Sequence, residues 1–147
     1  MLFRSSAAAL LGVAVHPLRV REAADFEGAF ETFVTERMEA VLVVSGSVIL
    51  ANHARVAGLA AHHRLPAMYF GRGFVEAGGL MSYGPSNPAM HRRAAYYVDR
   101  ILKGAKPADL PIEQPMTFDF VVNMKTAREL GITFPNEIML QVTEVIE

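Results

Sequence analysis

A chain of 147 residues, 52% of them apolar and 20% charged, can bury the core of one domain. Fourteen basic residues against fifteen acidic ones give a net charge of −1, which leaves no electrostatic footprint for nucleic acid or an anionic membrane surface. The absence of cysteine excludes disulfides, thiolate metal sites and cysteine nucleophiles, and leaves the redox compartment undecided.

The N-terminus, M-L-F-R-S-S-A-A-A-L-L-G-V-A-V, imitates a signal peptide, but it has one basic residue and no small-x-small cleavage site before His16-Pro17. It is read instead as a helix end at Ser5 to Leu10 followed by a buried strand. No apolar run reaches the roughly 18 residues that a membrane span needs. Gly12 to Val20, rich in valine and interrupted by Pro17, predicts a strand whose second part bends or lies at an edge. From Glu22 to Met38, Phe26, Phe30, Phe33 and Val34 recur at helical spacing and predict a helix with an aromatic, core-facing stripe.

Ala40 to Val44 is a continuous apolar run, as expected of a parallel strand covered on both faces. After Ser45-Gly46-Ser47 a helix is predicted through Ala51 to Arg64, stopped by Pro66, and Ala67 to Phe70 is a further short buried strand. Strand, helix, strand, helix, strand is the order of right-handed crossover units, so the expected fold is α/β with a doubly wound parallel sheet. Ligands of such sheets sit outside the carboxyl ends of the strands. Here those ends are Ser45-Gly46-Ser47 and Gly71-Arg72-Gly73. Their glycines let backbone amides approach a ligand, the serines offer hydroxyl donors, and Arg72 can grip a carboxylate with two prongs. Ordinary turn and capping chemistry, with Ser47 as a helix N-cap, accounts for the same residues equally well.

The stretch Glu76 to Ser86, E-A-G-G-L-M-S-Y-G-P-S, is an extended segment punctuated at both ends and reads as a joint between two regions. Beyond it, Pro88 opens a helix that closes at Gly104, with Met90, Ala94, Tyr97, Val98, Ile101 and Leu102 as its apolar stripe. Lys106 to Pro115 holds three prolines and predicts an extended connector. Phe118 to Asn123 is a strand, Asn123 caps a short helix ending at Gly131, and Pro135 opens a last helical piece in which Ile138, Val142, Val145 and Ile146 share a side.

Catalytic chemistry finds little support. His62 and His63 are adjacent on a helix, about 100 degrees apart, so they cannot grip one metal as an i, i+4 pair can, and a surface position is expected. Glu76 would need a partner to serve as a general base. No zinc-protease, nucleophile-elbow, phosphate-loop or dinucleotide motif is complete. A binding module that is not an enzyme, with no cofactor and no metal, is expected.

Four runs carry a family resemblance: R-L-P-A-M-Y from Arg64, F-V-E-A-G-G-L-M-S-Y-G from Phe74, R-R-A-A-Y-Y-V-D from Arg92 and I-L-K-G-A-K-P-A-D-L-P from Ile101. With them the chain resembles, from about Leu11 to Glu147, the second half of ABC-transporter solute-binding proteins of the tryptophan/tyrosine-receptor-like type. The resemblance implies one lobe of a type I periplasmic-binding-protein-like fold over residues 1–84, with a helix, a crossing strand and helical pieces over 85–147. Leu80 to Tyr83 would cross to the other lobe and Phe118 to Asn123 would return. By the same resemblance the small-molecule site would be lined by Ser45, Gly46, Ser47, Tyr69, Phe70, Gly71, Arg72, Phe74 and Tyr83. The ligand would be an amino acid or an aromatic or carboxylate compound. An ABC permease would be the partner, at a periplasmic or membrane-associated location, although the lack of a convincing export signal leaves a cytoplasmic one open. Ser45-Gly46-Ser47 stands where members commonly have an Asp-Pro type turn, and Gly73 where they have an acidic residue, so ligand identity does not carry over.

Half a cleft halves the affinity in free-energy terms: a micromolar site, roughly −8 kcal/mol, becomes about −4, or millimolar. Binding by this chain alone is therefore expected to be weak or absent. The apolar stripe after Pro88 would lack cover, and a homodimer would provide it. Two other readings are a self-associating fragment without a ligand and an independent doubly wound enzyme or nucleotide-binding domain. The latter needs a phosphate loop after the first strand, for which Val15-His16-Pro17 is unsuited.

Overall fold

The computed structural model of the chain describes residues 8–147. The part of the N-terminal helix expected at Ser5 to Ala7 lies outside them; residues 8–11 are helical. Helix α1 (Asp25–Thr35) starts where the Asp25 carboxylate accepts hydrogen bonds from the Arg21 and Glu22 amides at 2.8 and 3.1 Å. Those bonds hold the carboxyl below its ordinary pKa. Phe26 and Phe30 are buried, and Phe33 stands edge-on to Phe30 at 5.5 Å, so the predicted aromatic stripe faces the core. His63, expected at the surface, stacks on Phe30 at 6.0 Å.

Strand β1 (Val41–Leu42) follows, then helices α2 (Ser47–Ala51) and α3 (His53–His62). The single helix expected here is broken at Asn52, whose side-chain amide donates to the Val48 carbonyl at 2.8 Å; such local bonding competes with helix continuation. Gly46, with extended backbone, is the N-cap, and Ser47 is already inside the helix. Strand β2 (Ala67–Tyr69) is as predicted. The turn expected at Gly71-Arg72-Gly73 is instead the start of a short helix, α4 (Arg72–Glu76). Next are strand β3 (Met81–Pro85), helix α5 (Asn87–Leu102), a 3-10 turn at Pro107–Asp109 and strand β4 (Phe118–Asn123). Helices α6 (Met124–Leu130) and α7 (Asn136–Met139) and strand β5 (Glu144–Ile146) complete the order.

The five strands form one mixed sheet in the order β1-β2-β3-β4-β5. β1, β2 and β3 are parallel, β4 runs antiparallel to β3, and β5 is parallel to β4. The core lies between β1 and β2 and the helices α1 and α3, with Val41, Val43, Val56, Ala57, Ala60 and Tyr69 in one buried cluster. Asn123 joins sheet to helix. Its Oδ1 accepts from the Thr126 amide at 3.0 Å, the cap predicted for α6, while its Nδ2 donates to the buried Val75 carbonyl. Gly131 closes α6 in the left-handed conformation, φ 72°.

Three expectations are corrected. Gly12 to Val20 forms no strand; it runs mostly exposed, with no ladder partner among the described residues. β1 is covered on one face only: Val41 and Val43 are buried, whereas Leu42 and Val44 are 70% and 46% exposed. The last helical piece stops at Met139, and Glu144–Ile146 pairs with Val121–Asn123, because a neighbouring strand captures apolar residues whose spacing also suits a helix.

Tyr69 is 1% exposed, and its hydroxyl has no hydrogen-bond partner among the described residues. Burial raises its pKa above the usual phenol value. Since an unpaired buried hydroxyl gains nothing from the fold, Tyr69→Phe should leave stability unchanged or raise it by up to about 1 kcal/mol in urea unfolding. A loss of more than about 1 kcal/mol would show instead that the hydroxyl is satisfied.

Candidate functional site

The parallel run of β1, β2 and β3 sends three carboxyl ends to the same edge of the sheet, where connecting loops converge without disturbing the core. The loop after β1 holds Ser45 and Ser47, both exposed, with Gly46 half-buried between them. The loop after β2 holds Phe70 and Gly71, and Arg72 opens α4. His53, the first residue of α3, packs between α2 and α4 beside these loops. Its ring stands edge-on to Phe74 at 5.9 Å, lies 3.7 Å from where a Cβ on Gly73 would be, and its Nδ1 is 3.2 Å from the Leu50 carbonyl.

Tyr69 and Phe74 contribute rings to the interior of this edge. They stack on each other at 4.8 Å with planes 12° apart, both almost fully buried, and the half-buried Phe70 stands edge-on to Phe74 at 5.1 Å. Tyr83 finds its ring partners elsewhere, stacked on Phe118 at 5.4 Å and edge-on to Phe120 at 6.0 Å, both on β4. The structure thus gathers Ser45, Gly46, Ser47, Phe70, Gly71 and Arg72 at one edge, sets Tyr69 and Phe74 beneath them, and places Tyr83 on β3.

Arg72 is exposed, yet its guanidinium is engaged, with Nε 2.8 Å from Glu76 and a second nitrogen on the Glu144 carboxylate. The hydrogen bond to Glu76 and the charge of Glu144 raise its pKa further. An anionic ligand would enter by exchange with one of these carboxylates, a swap between groups that water already screens. His53 and Glu144 are the two residues here that sequence reasoning passed over. Glu144 lies 72 positions from Arg72 and reaches it only through β4–β5 pairing; His53 offers no signal beyond its place after Asn52. Among the described residues no cluster of ligating side chains could hold a metal ion.

A concavity of about 630 Å³ lies between α5 and the connector after it, with Met90, Tyr97 and Met116 in its wall. Arg93 spans it, paired through two nitrogens with Glu113 and lying 4.2 Å over the Tyr96 ring. The bond from Arg93 holds the Glu113 carboxyl below its ordinary pKa. The Tyr97 hydroxyl donates to the Pro111 carbonyl at 2.8 Å. No residue of α5 is buried, so this groove is the flank of an uncovered helix.

Comparisons place this geometry among known proteins. Two crystal structures superpose at a TM-score of 0.85 over 96% of the chain. One is a conserved domain protein of Vibrio cholerae, 23% identical, and the other an ABC domain of Streptococcus pneumonia in complex with L-Trp, 28% identical. The ligand-free, open structure of a substrate binding protein with adhesive properties from Clostridium difficile matches at 18% identity and a TM-score of 0.67, over 97% of the chain. The chain spans about half the length of these proteins, 47–48% of each. A search of curated proteins finds no match. No helix among the described residues is long and apolar enough to cross a membrane. The profile of the ABC transporter substrate binding protein family matches residues 2–146, and the chain belongs to that family, with the α/β fold of one half of a type I periplasmic-binding-protein-like structure.

Proposed function

We propose that the chain is one lobe of a solute receptor, residues 1–84 with the returning strands β4 and β5, serving an ABC importer outside the cytoplasmic membrane. Its solute is a small molecule such as an amino acid or an aromatic or carboxylate compound. The observation that carries this reading is the placement of Ser45–Ser47 and Phe70–Arg72 together at the carboxyl edge of parallel strands. The relative in complex with L-Trp supports the ligand class. In this reading the Ser45–Ser47 hydroxyls and amides and the Arg72 guanidinium bind the polar end of the solute, and Phe70 receives an apolar one. The permease would meet the assembled receptor.

The test is a thermal-shift series with L-Trp, L-Tyr, phenylacetate and succinate at millimolar concentration, on the chain and on Arg72→Ala. At a concentration near a millimolar dissociation constant, a ligand that binds only the folded state stabilises it by about 0.4 kcal/mol, or roughly 1–2 °C for a domain of this size. A rise with one class that Arg72→Ala abolishes supports the reading; no rise with any compound up to its solubility limit rejects it. The exposed stripe on α5, with Val98 55% and Leu102 82% exposed, favours a second reading, self-association through that helix. Light scattering on the same samples decides it: a dimer mass is expected, and a monomer at tens of micromolar overturns it.

A further inference from the structure

Two carboxylates hold Arg72, and they come from different parts of the fold. Glu76, one turn further along α4, accepts from Nε at 2.8 Å, and Glu144, the first residue of β5, accepts from Nη1. Tyr69, Ser82, Val121 and Glu144 fall in one row across β2, β3, β4 and β5, so Glu144 stands level with the carboxyl end of β2. α4 packs over β3 and β4 and carries Arg72 toward that row. β1 and β5 are the outer strands of the sheet, about 19 Å apart at the usual strand spacing. The guanidinium is therefore drawn to the β5 side of the edge, away from the Ser45–Ser47 loop that follows β1.

We infer that Glu144 stands in for the solute's carboxylate: it holds Arg72 withdrawn until an anion from outside replaces it, and so makes the site prefer anionic over neutral solutes. This role rests on the receptor reading proposed above. The two carboxylates are not equivalent in it. Glu76 rides on the same five-residue helix as Arg72, so it can follow the guanidinium when that turns. Glu144 cannot, because β5 is fixed by its ladder to β4 and by the Thr143 amide on the Phe120 carbonyl at 2.8 Å. The Arg72–Glu144 pair is open to water, its side chains 51% and 36% exposed, so it breaks without stranding a buried charge. A carboxylate restores to Arg72 the charge-assisted bond that is lost with Glu144; a neutral solute does not. An exposed pair is closed only a few times more often than it is open. Removing the internal competitor should therefore raise the apparent affinity for a carboxylate roughly two- to sixfold.

The test is a titration with phenylacetate, and with the neutral phenylacetamide, followed by NMR at the Arg72 Nε–H and the Ser45–Ser47 amides. It is run on the whole chain as parent, Glu144→Gln, Glu76→Gln and Arg72→Ala. In the parent, phenylacetate should move the Arg72 and Ser45–Ser47 signals together, and shift the Glu144 carboxyl carbon as that group is released. Glu144→Gln should bind phenylacetate roughly two- to sixfold more tightly, and phenylacetamide no better. Glu76→Gln removes the same charge from the same guanidinium, so an equal gain there would assign the effect to charge alone and overturn the inference. So would an unchanged affinity in Glu144→Gln, or an equal gain for phenylacetamide. Binding that Arg72→Ala abolishes but Glu144→Gln leaves unchanged overturns this role and keeps the receptor reading. Silence toward phenylacetate in both the parent and Glu144→Gln also overturns this role, and the receptor reading then stands or falls with L-Trp in the thermal-shift series.

Discussion

Gly84→Ala is expected to cost about 3 kcal/mol or more, at the upper end of the range for overpacking. Gly84 sits in β3, where a Cβ would overlap the Phe70 carbonyl oxygen and lie 3.2 Å from the Phe70 carbonyl carbon. Both obstacles are backbone, and Phe70 continues β2, which is hydrogen-bonded to β3 through Met68↔Met81 and Tyr69↔Ser82. Relief therefore means parting two strands of the sheet. At roughly 2–4 °C per kcal/mol for a chain near this size, melting should fall by roughly 6–12 °C. The companion variant is Gly58→Ala, in the middle of α3, where an added methyl meets nothing within 4 Å. It should stabilise by roughly 0.5–1 kcal/mol through helix propensity alone. Equal effects of the two substitutions in thermal unfolding would contradict the close approach at Gly84.

Phe74→Ala should be comparably damaging, about 3–5 kcal/mol, the usual cost of deleting a buried aromatic ring. Phe74 is 1% exposed and holds three rings at once: Tyr69 stacked, Phe70 and His53 edge-on. Losing it leaves a cavity beneath the strand-end loops and frees the His53 ring, which packs α3 against α4. Phe74→Leu refills most of the volume and should cost about 1–1.5 kcal/mol. Urea unfolding of both variants measures the difference. A Phe74→Ala loss below about 1 kcal/mol would show that the site collapses freely around the missing ring. If Phe74→Leu folds but no longer responds to a solute that shifts the parent chain, the aromatic floor positions the loops as well as supporting them.

The elements that could be read from the sequence are those whose signals are local. Asn123, three residues before Thr126 and ahead of Gly131, marks both ends of α6 by capping chemistry. Pro88 and the spacing of Met90, Ala94 and Tyr97 mark α5. What failed needed distant partners. The valines of Gly12 to Val20 suit a strand, but a strand exists only beside another, and β1 does not pair with them. Val145 and Ile146 fit a helical face as well as an alternating one, and β4 decides between them. The site divides the same way. The placement of Ser45–Ser47 and Gly71–Arg72 at one edge was legible because the order of parallel strands and helices fixes where their carboxyl ends fall. The inward turn of the Tyr69 and Phe74 rings, and the capture of Arg72 by Glu144, belong to packing between segments that chain order does not juxtapose.

The antiparallel pair of β3 and β4, matched over five residues from Met81↔Val122 to Pro85↔Phe118, has a mechanical consequence. The chain leaves the sheet along one of these strands and returns along the other. α5 stands at the far end of this ribbon, and its polar contacts are to its own connector. A sixteen-residue helix is a lever about 24 Å long. A twist of about 10° in the ribbon, within the ordinary spread of strand-to-strand rotation, would sweep its tip by about 4 Å. Small rotations at Gly84 and Pro85 therefore become displacements the size of a side chain at Leu102, and stiffness in two strands sets how far the outlying helix swings.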